Sequence, residues 1–353
     1  MLLLALLLAL RAAAAAASSG APACIVASTW AGFDYVVPNW PIGVAVDSKG
    51  VVHIADAVNF LIARVFPGED DTAVDFVGNA GVSGTSDGQG SNALFNAPFK
   101  MVFGPSDIMY MVDERYLETK HDVIRSVSSS GAVVTMTTSR PYVAGDTIDG
   151  PLAVAVFGVI HSLALNSAAD TLFLTDTGGD GIFRLRAIDS ISSPASRASV
   201  RTIAMPGLPL RGIEYDSVRL MLYAASPLSF SIVSFDVSNI SGPSLLPTHI
   251  AGCGRRSDDT SSAGSGENAC FMRPVDVRLS GSGNTLYVSD TDTSSIRRIF
   301  LSKNFSSDVL VGPGSWNSRI VTGTSLIANI PSPSWLGEFT HAPHFSTQRT
   351  LVL

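Results

Sequence analysis

Charge is scarce in this chain. Charged residues make up 15% of its 353 positions, against roughly a quarter in an average soluble domain. Because 46% of the residues are apolar, this shortage excludes a highly charged disordered polymer, which could not bury enough surface to offset its ordering entropy. An excess of positive charge is also missing: 23 Lys and Arg face 30 Asp and Glu, a net charge of −7. That balance speaks against a surface that tracks phosphates, so no nucleic acid is expected as a partner. Beyond the first two dozen residues nothing approaches the roughly 18 uninterrupted apolar residues of a spanning helix, and no membrane insertion is expected of the mature portion. Helical periodicity is absent too. In its place 31 Gly and 19 Pro fall in short clusters, punctuation that suits many short strands and turns.

The one long apolar block stands at the start. Residues 1–10 read MLLLALLLAL, followed by Arg11, an alanine run and Ala21-Pro22-Ala23 before Cys24. An apolar block of about ten residues ending in small side chains has the form of a secretory signal peptide, here 1–23. This predicts a secreted, extracellular or endomembrane-lumenal protein. Cysteine usage agrees: Cys253 and Cys270 lie in one Gly-rich polar loop and are expected to form a disulfide. Asn239-Ile240-Ser241 and Asn304-Phe305-Ser306 are glycosylation acceptors in such a compartment.

A repeat organises the rest. Asp87-Gly88 is followed by Ala93-Leu94-Phe95 and Pro98; Asp149-Gly150 by Ala155-Val156-Phe157 and Ile160; Gly264 by Ala269-Cys270-Phe271 and Pro274. The spacing is the same in all three, and Ala328-Asn329-Ile330 with Pro333 is a degenerate fourth copy. After each anchor come an alternating run, a turn and a second run ending in Asp or a small residue, as in residues 41–56 and 274–290. A third run carries an Ile-Arg or similar pair (61–66, 122–127, 181–186, 295–300), and a fourth is read at 72–78, 132–138, 199–205, 247–252 and 318–323. Four short antiparallel strands per repeat describe a propeller blade. Anchors at 41, 98, 160, 210, 274 and 333 predict six. Residues 25–32 repeat the fourth-strand pattern and are expected to close the last blade, whose own copy ends at Thr350–Leu353, inside its second strand, and reads as incomplete.

Taken together, Asp87-Gly88, Ala93-Leu94-Phe95, Pro98, Pro41-Ile42-Gly43-Val44-Ala45-Val46-Asp47, Leu286-Tyr287-Val288-Ser289-Asp290 and Ile296-Arg297-Arg298-Ile299 resemble the NHL-repeat family of six-bladed β-propellers, over residues 25–353. The resemblance implies an all-β fold of four-stranded antiparallel blades. It also implies binding modules for RNA, proteins or glycans, together with a few enzymes. One enzyme branch resembles the peptidylglycine amidating lyases, which hold a metal by histidines at the channel mouth; calcium-dependent lactone hydrolases are relatives by architecture.

Such sites lie on the ring nearest the axis, which the repeat places at Ile42, Phe99, His161, Arg211, Val275 and Ser334. One histidine cannot make a zinc site, which takes about three protein ligands, and no carboxylate ring for calcium is present there. No cofactor is therefore expected, zinc and calcium being the ions an enzyme would need, and no catalytic residue is assigned. The strand-end acids Asp56, Asp113, Asp176 and Asp290 recur in every good copy and read as turn caps. Gly84-Thr85-Ser86-Asp87-Gly88 matches a nucleophile elbow in letters only, since it lies in an inter-blade loop with no helix after it. What remains is Phe99, Lys100, His161 and Arg211, an aromatic beside cations from three consecutive repeats, suited to an anionic or glycan ligand. The expectation is a non-catalytic binding or scaffolding propeller for a protein or glycan, the alternatives being a metal-dependent propeller enzyme and an RNA-binding module.

Overall fold

The computed structural model describes residues 41–311, except 67–72, 114–121, 138–146, 169, 193–196, 242–243, 256–263 and 294, together with the short strands Leu8–Ala12, Ile25–Thr29, Gly323–Thr324, Gly337–Glu338 and Leu351–Val352. Alternation of apolar and polar residues between tight turns makes each repeat a hairpin meander, with every neighbouring pair of strands antiparallel. Blade one comprises Pro41–Val46, Val52–Asp56, Leu61–Val65 and Ala73–Gly78. Blade two comprises Pro98–Phe103, Met109–Asp113, Val123–Val127 and Ala132–Thr135, and blade three Val159–Leu165, Thr171–Thr177, Phe183–Asp189 and Ser199–Ala204. Blade four comprises Ile213–Asp216, Met221–Ser226, Ser231–Asp236 and Thr248–Ala251, and blade five Pro274–Leu279, Thr285–Asp290, Ser295–Phe300 and Ser306–Val311. The first strand of each blade is innermost, for residues from all five first strands line one axial cavity.

Each blade presents apolar residues on both faces, so the core is a series of layers between neighbours. Ala55, Ile62 and Val77 of blade one meet Met101, Met111 and Val127 of blade two. Val112 and Ile124 meet Leu163 and Leu174 across the next seam, and Leu185 and Ile203 meet Leu222 and Phe235 across the third. Phe95, Phe157 and Phe271, the repeat phenylalanines, fill three of these layers at 1% exposure or less.

Beside each of these phenylalanines lies a buried arginine. Arg125 pairs with Asp113 (3.1 Å) and Asp87 (2.8 Å), and its guanidinium stacks 4.7 Å from the Phe95 ring centre. Arg186 repeats this with Asp176 (3.2 Å), Asp149 (2.8 Å) and Phe157 (4.6 Å). Arg297 lies 3.9 Å from Asp290 and 4.6 Å from the Phe271 ring, and donates to the Cys270 carbonyl. The same acids accept backbone N–H groups of the incoming loop, from Asn96 and Ala97, from Gly158, and from Met272 and Arg273. Burial pushes the carboxyls of Asp113, Asp176 and Asp290 up, against the pull of these bonds and of the arginines. Three of the four acids expected as turn caps are thus cores of a clasp, because their arginine partner stands two positions along the adjoining strand. Asp56 alone caps a turn, accepting the Asn59 backbone and side-chain N–H groups.

The structure corrects the expected count. Among the described residues five blades are found, not six, and three of them carry a fifth, outermost strand of two residues: Gly88–Gln89, Gly150–Pro151 and Gly264–Ser265. Anchors count copies of a short motif, not completed sheets; around the sixth copy the described ladder is Gly337–Glu338 with Leu351–Val352. The anchor Pro333 lies outside the described residues, as do most of 1–23 and Cys24. Ile25–Thr29 pairs with Leu8–Ala12 and with Gly323–Thr324. The fourth strand of blade five is Ser306–Val311, not residues 318–323, because a tight turn (Ser306 N–H to the Lys303 carbonyl, 3.0 Å) brings the nearer alternating run back first.

Candidate functional site

The axis has two ends, and the residues of the expected ring stand at one of them. A β-bulge follows the anchor in four blades, between Pro41 and Gly43, Pro98 and Met101, Ile160 and Ser162, and Pro274 and Asp276. Such a bulge re-aims the side chains that follow it. Two glycines permit the close approach of inner strands that results. A Cβ on Gly43 would lie 2.4 Å from the Phe99 carbonyl oxygen, and one on Gly212 would lie 2.0 Å from Asp276 Oδ1.

Phe99 packs into the layer between blades two and three, 7% exposed. His161 is buried between its own blade and the next: Arg211 Nη1 donates to Nδ1 at 2.9 Å, and Nε2 lies 2.7 Å from Thr177 Oγ1. An arginine only donates, so Nδ1 is the acceptor and Nε2 carries the proton. Burial, and then the Arg211 charge, hold the imidazole down to about 3. It is neutral at physiological pH with both nitrogens engaged, a poor proton carrier. Lys100 turns inward and meets Asp276 of blade five at 2.8 Å, both side chains at 2% exposure or less. Burial and the Arg278 charge lower Lys100 to about 8, while Asp276 and Glu214 hold it charged. The four predicted ligand residues therefore divide: His161 and Arg211 touch each other, Lys100 braces the interior, and Phe99 belongs to the core. Of the remaining ring positions, Val275 accepts the Gly212 N–H (2.8 Å), and Ser334 lies outside the described residues.

The other end is open. Below the Lys100–Asp276 pair the second halves of all five first strands surround a cavity of about 230 Å³, from Val44–Val46, Met101–Phe103, Ala164–Leu165, Glu214–Tyr215 and Arg278–Leu279. Its walls are apolar on three blades and charged on two. Arg278 donates to Glu214 at 2.5 Å, joining blades five and four. Tyr215 stacks on Phe173 (ring centres 5.8 Å apart, planes at 24°) and bonds Ser167; burial pushes its hydroxyl up. The hairpin tips around this mouth are tied in pairs: Ser48 donates twice to Asp107, and Arg219 donates to the Gly283 carbonyl. A preformed, mainly apolar hollow with a few convergent polar groups is the usual form of a ligand site. Glu214, Tyr215 and Arg278 escape a reading of the repeat alone. Their signal is nonetheless in the sequence, since a charged residue stands in the second half of the inner strand only in blades four and five.

Cys253 and Cys270 form a disulfide across the loop that enters blade five. Asn239 and Asn304 are exposed in turns. Among the described residues no three His, Cys, Asp or Glu side chains lie close enough together to hold a metal ion, and no helix is long and apolar enough to cross a membrane.

No protein-family model matches the chain, and no curated protein matches it in sequence. Solved structures do. A Bacteroides thetaiotaomicron protein of unknown function superposes with a TM-score of 0.60 at 12% identity, over 89% of this chain and 69% of that one. An auxiliary nutrient binding protein from Bacteroides ovatus gives 0.59 at 11%, over 87% and 67%. A chain of the nidogen/laminin complex gives 0.51 at 13%, over 85% and 90%. Identities this low speak for architecture alone, and with the five described antiparallel blades around one cavity they make this chain a β-propeller.

Proposed function

We propose that the protein is a secreted NHL-type propeller that binds a protein or glycan ligand at the hairpin-tip end of its axis and has no catalysis of its own. The observation that carries this reading is the axial cavity, which combines an aromatic face (Tyr215), an acceptor (Glu214) and a donor (Arg278) with apolar walls. A pyranose ring or a single protruding side chain matches about 230 Å³, and an aromatic face with a flanking ion pair suits the C–H and hydroxyl faces of a sugar. At the opposite end the ionisable groups are engaged with one another. One neighbour in fold is named a nutrient binding protein and another comes from a nidogen/laminin complex, names compatible with a binding module. The disulfide, and the exposure of Asn239 and Asn304 as glycan acceptors, support secretion.

The test is a screen of the purified full chain against glycan arrays and extracellular protein panels, with Tyr215→Ala as control. Binding should appear and fall at least tenfold in the variant while the melting temperature holds. Stoichiometric zinc or calcium in the purified protein, together with lyase or lactone-hydrolase turnover, would overturn the non-catalytic reading in favour of the enzyme.

A further inference from the structure

A second, smaller cavity lies off the axis, between the hairpins of blades one and two. It measures about 100 Å³, well beyond the roughly 10–15 Å³ that one water needs. Its walls combine Phe66, Phe76 and Phe103 with His53 and Arg64, and Asp47, Lys49 and Asp107 stand around it.

The polar groups here are unequally satisfied. Asp47 accepts the backbone N–H groups of Lys49 and Val51 and faces His53 Nε2 at 3.4 Å. Asp107 takes both donors of Ser48, at 2.9 Å each. Both carboxylates are thus provided with donors. The cationic side is not. His53 is 3% exposed, and its second ring nitrogen, Nδ1, has no hydrogen-bond partner among the described residues. Nε of Arg64 is likewise buried without one, and its Nη2 reaches only the Ser129 carbonyl at 3.4 Å. His53 and Arg64 are direct cross-strand partners, and both pack on Phe76, the guanidinium 3.0 Å from the ring centre and the imidazole at 5.4 Å. Arg64 Nε–H therefore lacks an acceptor beside an aromatic wall, and the adjacent His53 Nδ1 would lack one as soon as it is protonated. A buried donor without an acceptor keeps the full penalty of its desolvation, and a charged one keeps more.

We propose that this cavity is a binding site for a small carboxylate, whose oxygens accept from Arg64 Nε–H and from His53 Nδ1–H in the imidazolium form, and whose short alkyl tail lies against Phe66, Phe76 and Phe103. Asp47, on Nε2, supports the imidazolium from its far side; Lys49 adds positive charge at the rim, while Asp107 is tied to Ser48. The anion and the proton bind together. Burial holds the unliganded His53 below its ordinary value, Asp47 partly offsetting this, so binding should strengthen as pH falls.

The experiment is calorimetric titration of the full chain with propionate at about pH 5.5, 6.5 and 7.5, in two buffers of different ionisation heat. The expected result is one site per chain, affinity falling up to about tenfold per pH unit across this range, and proton uptake on binding. His53→Gln should remove the pH dependence and the proton uptake, and Arg64→Met should abolish binding. Propan-1-ol, equal in size and uncharged, should not bind. Absence of binding at the lowest pH by protein that melts cooperatively would overturn the proposal. So would equal binding of the alcohol, or a pH dependence that survives in His53→Gln. The wild-type pH series stands without the variants should either fail to fold. The site shares no residue with the axial ligand site except Phe103, so Tyr215→Ala leaves it intact, and the two readings fail separately.

Discussion

Blades two and three differ from blades one and four in what fastens them to the loop that enters them. In the first pair a buried arginine draws together a strand-end aspartate, the aspartate of Asp-Gly and a phenylalanine, and a two-residue strand is added at the outer edge. In the second pair Ala63 and Val233 stand where the arginine would be, and the sheets have four strands. Blade five is intermediate: Arg297 and Asp290 are present, but Ala263 replaces the Asp of Asp-Gly and a disulfide spans the entering loop. The lesson is that the most conspicuous motif of this sequence marks a fastening. Function is better sought where the repeat breaks its own pattern, in the charged inner strands of blades four and five.

Removing a clasp should produce the largest effect. Arg186→Ala leaves Asp176 buried without its partner and is expected to cost about 3–5 kcal/mol in chemical denaturation. Val233→Ala, the matching position in blade four, removes only methyl groups and should cost about 2 kcal/mol. Equal losses would erase the distinction between the two kinds of blade. Next comes the disulfide of blade five. Replacing Cys253 and Cys270 together by serine opens a loop of sequence separation 17, for an expected loss of about 3 kcal/mol. A smaller loss, in the same denaturation assay, would mean that Arg297 suffices there.

The effect that is smallest near neutral pH concerns the seam between blades three and four, where His161–Arg211 and a bond from the Ile213 N–H to Ser162 Oγ replace the clasp. His161 is held to about 3 in the fold against an ordinary 6.5. Its contribution to stability is therefore complete above pH 6.5 and is lost as pH falls towards 3, because the unfolded chain binds the proton first. The slope is up to about 1.4 kcal/mol per pH unit. His161→Asn should flatten the stability–pH curve by that amount, whereas Val233→Ala, which removes no titrating group, should leave the slope of this window unchanged.

Much of the architecture was legible because it rests on local alternation. Five anchors, the hairpin after each and the run carrying Ile-Arg all stand where the pattern put them. Two-residue strands such as Gly88–Gln89 were not, being shorter than any period. The fourth strand of blade five was misplaced because two alternating runs competed, and turn geometry decided between them. The site was harder. Lys100 and Asp276 follow bulges, so simple alternation does not say which way they point. The pairing of Arg125 with Asp113 and Asp87 joins residues 12 and 38 positions apart, a relation that exists only in the folded sheet.

A propeller is ordinarily a one-dimensional array, each unit stabilised by its two neighbours, and such arrays can unravel from an end. The Lys100–Asp276 pair is a chord across that array, tying blade two to blade five over the heads of blades three and four. Losing either terminal unit leaves one of these charges stranded in the interior. Four successive blades are thereby spanned by one buried contact, in addition to the seams between neighbours.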